Sequence, residues 1–380
     1  MNDLSFYIHI PYCIKRCGYC DFNTYTPSEL REGASLEVVS GDYIDAVLRE
    51  IDLAAQSGPG SVPTIFFGGG TPSLLKPQDL GRVITAIKER WEVTANCEIT
   101  LEANPDSVDA QTLREFREAG FNRVSFGMQS AVPHVLKVLD RTHQPENVAR
   151  AVQGARDAGF ESVSVDLIYG TPGESLDDWQ LSVETALNLS VDHISAYALI
   201  VESGTKLASS IKRGEISMPD DDLMADMYLL IDERAESAGM QWYELSNWAK
   251  PGHESRHNIA YWENANWWGA GPGAHSHVDG VRWSNIKHPN AYKSSLLEGK
   301  SILLQKEILT QSQLQDEAIM LSIRMRKGIA LERLTPAQIA RVQGYCASGH
   351  LDKAQWDLGA LQLTAEGRLI ADRIVRELVV

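Results

Sequence analysis

No stretch of the 380-residue chain approaches the ~18 consecutive apolar residues that a membrane span requires. No secretory leader is expected either, because Met1-Asn2-Asp3-Leu4 supplies neither a basic start nor an apolar stretch. The expected compartment is therefore the cytoplasm. Positive charge is in deficit: 35 Lys+Arg against 51 Asp+Glu give a net charge of −16. That balance excludes a general polyanion binder, whose phosphate contacts need a basic surface, so no nucleic-acid partner is expected. Internal repeats and low-complexity tracts are lacking as well. Cysteine is scarce, with five residues at 13, 17, 20, 97 and 346. An odd set with three members inside eight residues is a poor disulfide framework and a better metal site.

What is present is a globular composition, 43% hydrophobic and 23% charged. Short runs rich in Val, Ile, Phe and Tyr predict strands at Phe6–Ile10, Thr64–Phe67, Glu98–Ala103, Arg123–Met128, Ser162–Tyr169 and His193–Val201. Helix-period stretches lie between them: Ile44, Val47, Leu48 and Ile51 form one apolar stripe, and Leu113, Phe116 and Ala119 another ahead of a capping Gly120. Strand–helix alternation predicts a parallel sheet, and six units predict an incomplete (β/α)6 barrel with its chemistry at the strand C-terminal ends. A helix at Asp220–Ala238 and a strand-like run at Gln241–Trp248 follow. Past Tyr292 the pattern turns to short helices, Gln311–Arg326, Thr335–Ala347 and Arg368–Leu378, with a wing-like run at Leu361–Thr364. Three divisions are expected: a barrel over 1–240, a His/Trp-rich segment over 241–295 packed on it, and a smaller, mainly helical, winged-helix-like domain over 296–380. Ten Lys/Arg against nine Asp/Glu in residues 301–380 give that tail no basic face for DNA, so lid or protein-contact duty is expected instead.

Cys13, Cys17 and Cys20 read C-x3-C-x2-C directly after the first strand. Thiolates are the usual ligands of iron–sulfur clusters, and three of them leave one iron of a four-iron cube open. Lys15 and Arg16 are expected to favour the thiolate form. A zinc site with His9 as fourth ligand is the alternative. After the second strand comes Phe67-Gly68-Gly69-Gly70-Thr71-Pro72, a turn whose glycines allow close backbone approach and expose N–H groups. Successive strand ends then carry Glu102, able to accept from an ammonium or hydroxyl, Gln129, and Asp166; Arg141 in the following loop could pair a carboxylate. Any one of these fits a solvated loop; together they surround one barrel mouth.

Residues 242–283 hold six of the nine tryptophans, and His253, His257, His275, His277 and His288 lie in or near that stretch. A second aromatic core explains this, and so does a slot for a flat apolar ligand with a histidine for its metal. Within it, His257-Asn258-Ile259-Ala260-Tyr261-Trp262 reads H-N-x-x-Y-W. The glycine-rich 269–276 turn is a loop or a further part of the same site.

The cysteine spacing, with Tyr7-Ile8-His9-Ile10-Pro11-Tyr12 before it and Asp21-Phe22-Asn23 after it, resembles the radical S-adenosylmethionine (SAM) superfamily. Within that superfamily the chain resembles the branch of oxygen-independent coproporphyrinogen III dehydrogenases and HemW-type heme chaperones, from Leu4 through the C-terminal region. The resemblance implies a [4Fe-4S] cluster on Cys13, Cys17 and Cys20, with SAM at the open iron. It implies SAM contacts from Tyr7, Tyr19, Gly69, Gly70, Thr71, Glu102, Gln129, Arg141, Asp166 and Ala198. The dehydrogenases carry a further cysteine where this chain has Phe22, and a longer N-terminal extension; H-N-x-x-Y-W resembles the chaperone signature. The chaperone branch implies heme as a bound group, His257 as ligand of its iron, a slot formed by Tyr261 and Trp262, and client hemoproteins as partners. A homodimer is compatible with this reading. Whether the chain is also an enzyme stays open between heme carriage and SAM-dependent oxidative decarboxylation.

Overall fold

The computed structural model describes residues 3–58 and 60–379. Six parallel strands lie side by side in chain order: β1 Ser5–Ile10, β2 Ser61–Gly69, β3 Glu92–Ala103, β4 Arg123–Gln129, β5 Ser162–Tyr169 and β6 His193–Ala198. Each falls on one of the apolar runs read from sequence. Intervening helices bury one stripe each. Tyr43–Ala54 buries Ile44, Val47 and Ile51, and Ala110–Glu118 buries Leu113 and Phe116. The latter helix starts at Asp109, whose carboxylate accepts from the Thr112 amide at 2.8 Å. It is followed by Gly120 at φ 113°, a conformation that costs glycine nothing.

The sheet continues past both edges. Beyond β6 lies a hairpin, β7 Gln241–Glu244 and β8 Asn247–Ala249, with β8 antiparallel to β6. Beyond β1 comes β9 Trp267–Ala270, parallel to it, then an antiparallel series of β10 His275–Val278, β11 Val281–Asn285 and β12 Leu303–Ile308. The expected 241–295 segment is therefore divided between the two ends of one 12-stranded sheet. Its tryptophans serve both ends: Trp248 is fully buried behind β8, and Trp268 meets Trp283 edge to face at 4.9 Å on the β9–β11 side. The boundary expected at 296 also moves, because β12 is paired to β11.

A separate hydrophobic core begins with helix Gln311–Ser322 and gathers Ile319, Ile323, Leu334, Val342, Leu361, Ile374 and Leu378. Around it stand short helices and a two-residue strand pair, Ile329–Ala330 with Ala360–Leu361. Arg368 anchors this unit to the sheet. Its guanidinium donates to Asp232 at 2.8 Å and lies over the Trp242 ring, 4.2 Å from the centroid. No helix among the described residues is long and apolar enough to cross a membrane.

Candidate functional site

Side chains of a strand alternate between faces, so register decides what shares a surface. Tyr7 stands opposite Phe66, Phe66 opposite Thr100, and Thr100 opposite Arg123. One row further along the strands, Glu102 faces Ser125, Ser125 faces Ser164, and Gly127 faces Asp166, itself opposite Ser195. These rows line one cavity of about 610 Å3 on the inner face of β1–β6. The same cavity is lined by Cys13, Cys17 and Cys20 and by all ten residues expected at SAM. His257 and Tyr261, on helix Arg256–Trp262, line it as well.

The glycine turn holds the cysteine loop in place. Gly70 N–H donates to the Ile10 carbonyl at 2.7 Å and Thr71 N–H to the Tyr12 carbonyl at 2.8 Å. A Cβ on Gly70 would sit 2.6 Å from the Tyr12 oxygen. Gly69 N–H donates to Glu102 at 3.1 Å. The N–H groups expected to face a ligand are thus spent on the protein, and the glycines serve close backbone approach. Thr71 Oγ1 reaches toward Cys13 Sγ at 3.7 Å.

The expected roles of Lys15 and Arg16 also change. Lys15 pairs with Asp140, which Lys206 joins at 2.8 Å, and Arg16 pairs with Glu29 at 3.1 Å. The cation that reaches the cysteines is Arg141: Nη1 donates to Cys17 Sγ at 3.4 Å, and Nη2 to Asn104 Oδ1 at 2.8 Å and the Gly127 carbonyl at 3.0 Å. Burial pushes the Cys13 thiol up to about 11, and Cys20 upward too. Thiols so placed become thiolates when a metal centre supplies the missing positive charge, so the donor set fits a cluster. His9 does not fit as a zinc ligand. Its Nδ1 is bonded to the Tyr7 hydroxyl and its Nε2 to the Asn23 carbonyl, both at 2.9 Å.

Two carboxyl groups stand in the cavity wall. Burial, with the Asp166 charge adding to it, pushes Glu102 up to about 8. Burial also raises Asp166, although Ser125 Oγ donates to its oxygens at 2.9 and 3.0 Å. Gln129 sits at φ 63° where β4 bulges against β5, which turns its side chain into the cavity wall. Ser125, Asn104 and Ser195 escaped the sequence reading. Their signal was the polar half of a period-two alternation along strands read only for apolar content, which for Asn104 runs one residue past the end of β3.

His257 is buried at 2% exposure on this cavity's floor. Its ring stacks on Phe66, its Nδ1 is bonded to Thr64 Oγ1 at 2.7 Å, and its Nε2 to the Tyr261 hydroxyl at 2.9 Å. Burial lowers its pKa to about 3, so the ring is neutral. Both ring nitrogens carry hydrogen bonds here, so an iron at either one would take the place of a hydroxyl. Tyr261 also lines a second cavity, whereas Trp262 lines neither.

Residues 7–186 match the family model of the radical SAM superfamily. The chain is 45% identical over 375 residues to the heme chaperone HemW of Mycobacterium tuberculosis, covering 98% of this chain and 94% of that protein. With HemW of Bacillus subtilis it shares 34% identity, covering 97% of each. Among solved structures, the radical SAM coproporphyrinogen III oxidase HemN of Escherichia coli superposes with a TM-score of 0.83 over 99% of this chain and 90% of that one. At 22% identity that match speaks for the fold alone. The matched residues, the strand order and the near-full-length identity lead to one placement: the chain belongs to the HemW heme chaperone family of the radical SAM superfamily.

Proposed function

We propose that the chain binds heme and passes it to client hemoproteins in the cytoplasm, and that it holds a [4Fe-4S] cluster on Cys13, Cys17 and Cys20 with SAM beside it. The observation that carries the cofactor half is the convergence of three cysteines and ten strand-end and loop residues on one cavity. Bound there, cluster and SAM supply one-electron chemistry. The chain's own contribution is positional. Arg141 ties Cys17 to Asn104 and the β4 backbone, and Glu102 and Asp166 stand as acceptors for the polar groups of the nucleotide and its methionyl moiety. His257 and Tyr261 wall the region offered to heme. The small C-terminal unit, which we read as winged-helix-like, closes over the barrel through Met320 and Leu321 at the second cavity.

Oxidative decarboxylation of coproporphyrinogen is the second reading, supported by the fold shared with HemN. Phe22 in place of the further cysteine weighs against it, as does the H-N-x-x-Y-W run. Anaerobic reconstitution followed by iron and sulfide analysis, hemin titration and porphyrinogen turnover separates the two. Stoichiometric hemin binding without turnover supports carriage; turnover without hemin binding overturns it.

A further inference from the structure

The first amides of a helix have no partner within it. In helix Arg256–Trp262 two of them are met by one carboxylate from β3. Glu98 accepts from the Arg256 N–H at 3.1 Å, the His257 N–H at 3.0 Å and the Ser255 hydroxyl at 3.4 Å. Glu98 is buried, and so is its countercharge, Arg123 on β4, 3.7 Å away. Arg123 also donates to the His253 carbonyl at 2.8 Å, just ahead of the helix. A buried ion pair gains little stability over a neutral cap, so what it adds is a fixed place for the helix. From the other side, Asn258 Nδ2 donates to Glu244 on β7 at 3.0 Å.

A separate chain of hydroxyls fixes the His257 ring. The Thr64 hydroxyl on β2 donates to Ser5 Oγ on β1 at 2.8 Å. A hydroxyl has one proton, so toward His257 Nδ1, 2.7 Å away, Thr64 Oγ1 acts as acceptor. Nδ1 therefore carries the ring proton. Nε2 is the bare nitrogen of this neutral ring, and it accepts from the Tyr261 hydroxyl at 2.9 Å. Thr64 and Ser5 are buried and line neither cavity, whereas Tyr261 lines both. The proton thus faces the wall and the lone pair faces the cavity side.

We propose that Thr64 and Ser5 are positioning residues that hold His257 as the Nδ1–H tautomer and present Nε2 to heme iron in place of the Tyr261 hydroxyl, and that Glu98 with Arg123 fixes the helix carrying the ring. The inference rests on the heme-carrier reading and on the family-implied role of His257, and it names the residues behind that role. Metal-bound histidines generally donate their other N–H to such a partner, whose loss costs about 10–100-fold in affinity.

The test uses the full chain, first without heme. In nitrogen-15 NMR of histidine-labelled protein, the His257 ring is assigned by its absence in His257→Gln and is expected as the Nδ1–H tautomer. Thr64→Val keeps the side chain's shape and removes the acceptor. Its ring is expected to change to the Nε2–H tautomer, and hemin binding to weaken by at least about tenfold with a shifted Soret band. Thr64→Ser brings back the hydroxyl and with it the wild-type tautomer and spectrum. Glu98→Gln offers one acceptor oxygen instead of two, so hemin binding falls by a similar factor while the tautomer is kept. Iron and sulfide content after reconstitution stays at the wild-type level in all three variants, because Thr64 and Glu98 stand five residues, about 16 Å, before the ends of β2 and β3. That reading separates a displaced ligand from general misfolding. An Nε2–H ring in the wild type, or wild-type hemin affinity and spectrum in Thr64→Val and Glu98→Gln, overturns this inference and leaves heme carriage standing. Absence of hemin binding by the wild type overturns both.

Discussion

Glu102→Gln at the SAM cavity yields a sharply defined pH experiment. The carboxyl is buried, faces the Asp166 carboxyl across the strands, and receives one amide, from Gly69 at 3.1 Å. Burial is the larger cause of its rise to about 8, and that one donor does not offset it. At pH 7 the group is mostly protonated. A ligand ammonium or ribose hydroxyl that requires the carboxylate must first displace the proton, at a cost of about 1.4 kcal/mol, or one tenfold step in affinity. The sign follows directly: SAM affinity of the cluster-reconstituted protein rises with pH up to about 8 and is flat above it. The neutral isostere has no proton to displace, so its profile is flat and stays near the low-pH affinity of the wild type. Calorimetric titration of reconstituted protein between about pH 6 and 8.5 measures both profiles around that value. A flat wild-type profile refutes the role of the carboxylate. A slope that survives in Glu102→Gln assigns the effect to another group.

Three further outcomes are expected. Burial raises Glu50 to about 7 despite donors from Tyr292, Gly271, Asn285 and Trp268. The folded state therefore holds this proton more tightly than the unfolded one, and stability falls by about 3 kcal/mol as pH climbs from the ordinary carboxyl value to neutrality. Urea melts at acid and neutral pH should show that limb in the wild type, and Glu50→Gln should lack it. Gly70→Ala drives a Cβ against the Tyr12 and Ile10 carbonyls, so iron incorporation should drop while the far-ultraviolet spectrum is retained; full iron loading would refute the tight-turn account. Arg368→Met leaves Asp232 without its cation and should cost about 3 kcal/mol. Calorimetry then resolves a separate, earlier transition for the C-terminal unit, and a single unshifted transition would contradict that anchoring.

Sequence made the parallel sheet legible because each of β1–β6 carries a run of apolar residues for the face that packs on the helices, and those helices carry one clean stripe each. It also carried the cysteine loop and the strand-end ligands, since alternation and strand termini are local properties. What it concealed depends on distance through space. Lys15 and Arg16 adjoin the cysteines in the chain, yet Asp140 and Glu29 draw their charges away, and Arg141 arrives instead. Residues 241–295 looked like one aromatic unit, but β7–β8 and β9–β11 occupy opposite ends of the sheet. Nothing local to His257 reveals Thr64, whose hydroxyl bonds the ring from a strand far earlier in the chain.

Tyr261 gives the two cavities a common wall: its hydroxyl meets His257 on one side, and its ring meets Trp267 on the other. Any occupant that shifts this side chain alters the free energy of filling the neighbouring cavity. Thermodynamic linkage makes that influence reciprocal, so the factor by which an occupant of one cavity changes affinity in the other must equal the reverse factor. A single phenol is thus the side chain that the two cavities have in common on helix Arg256–Trp262.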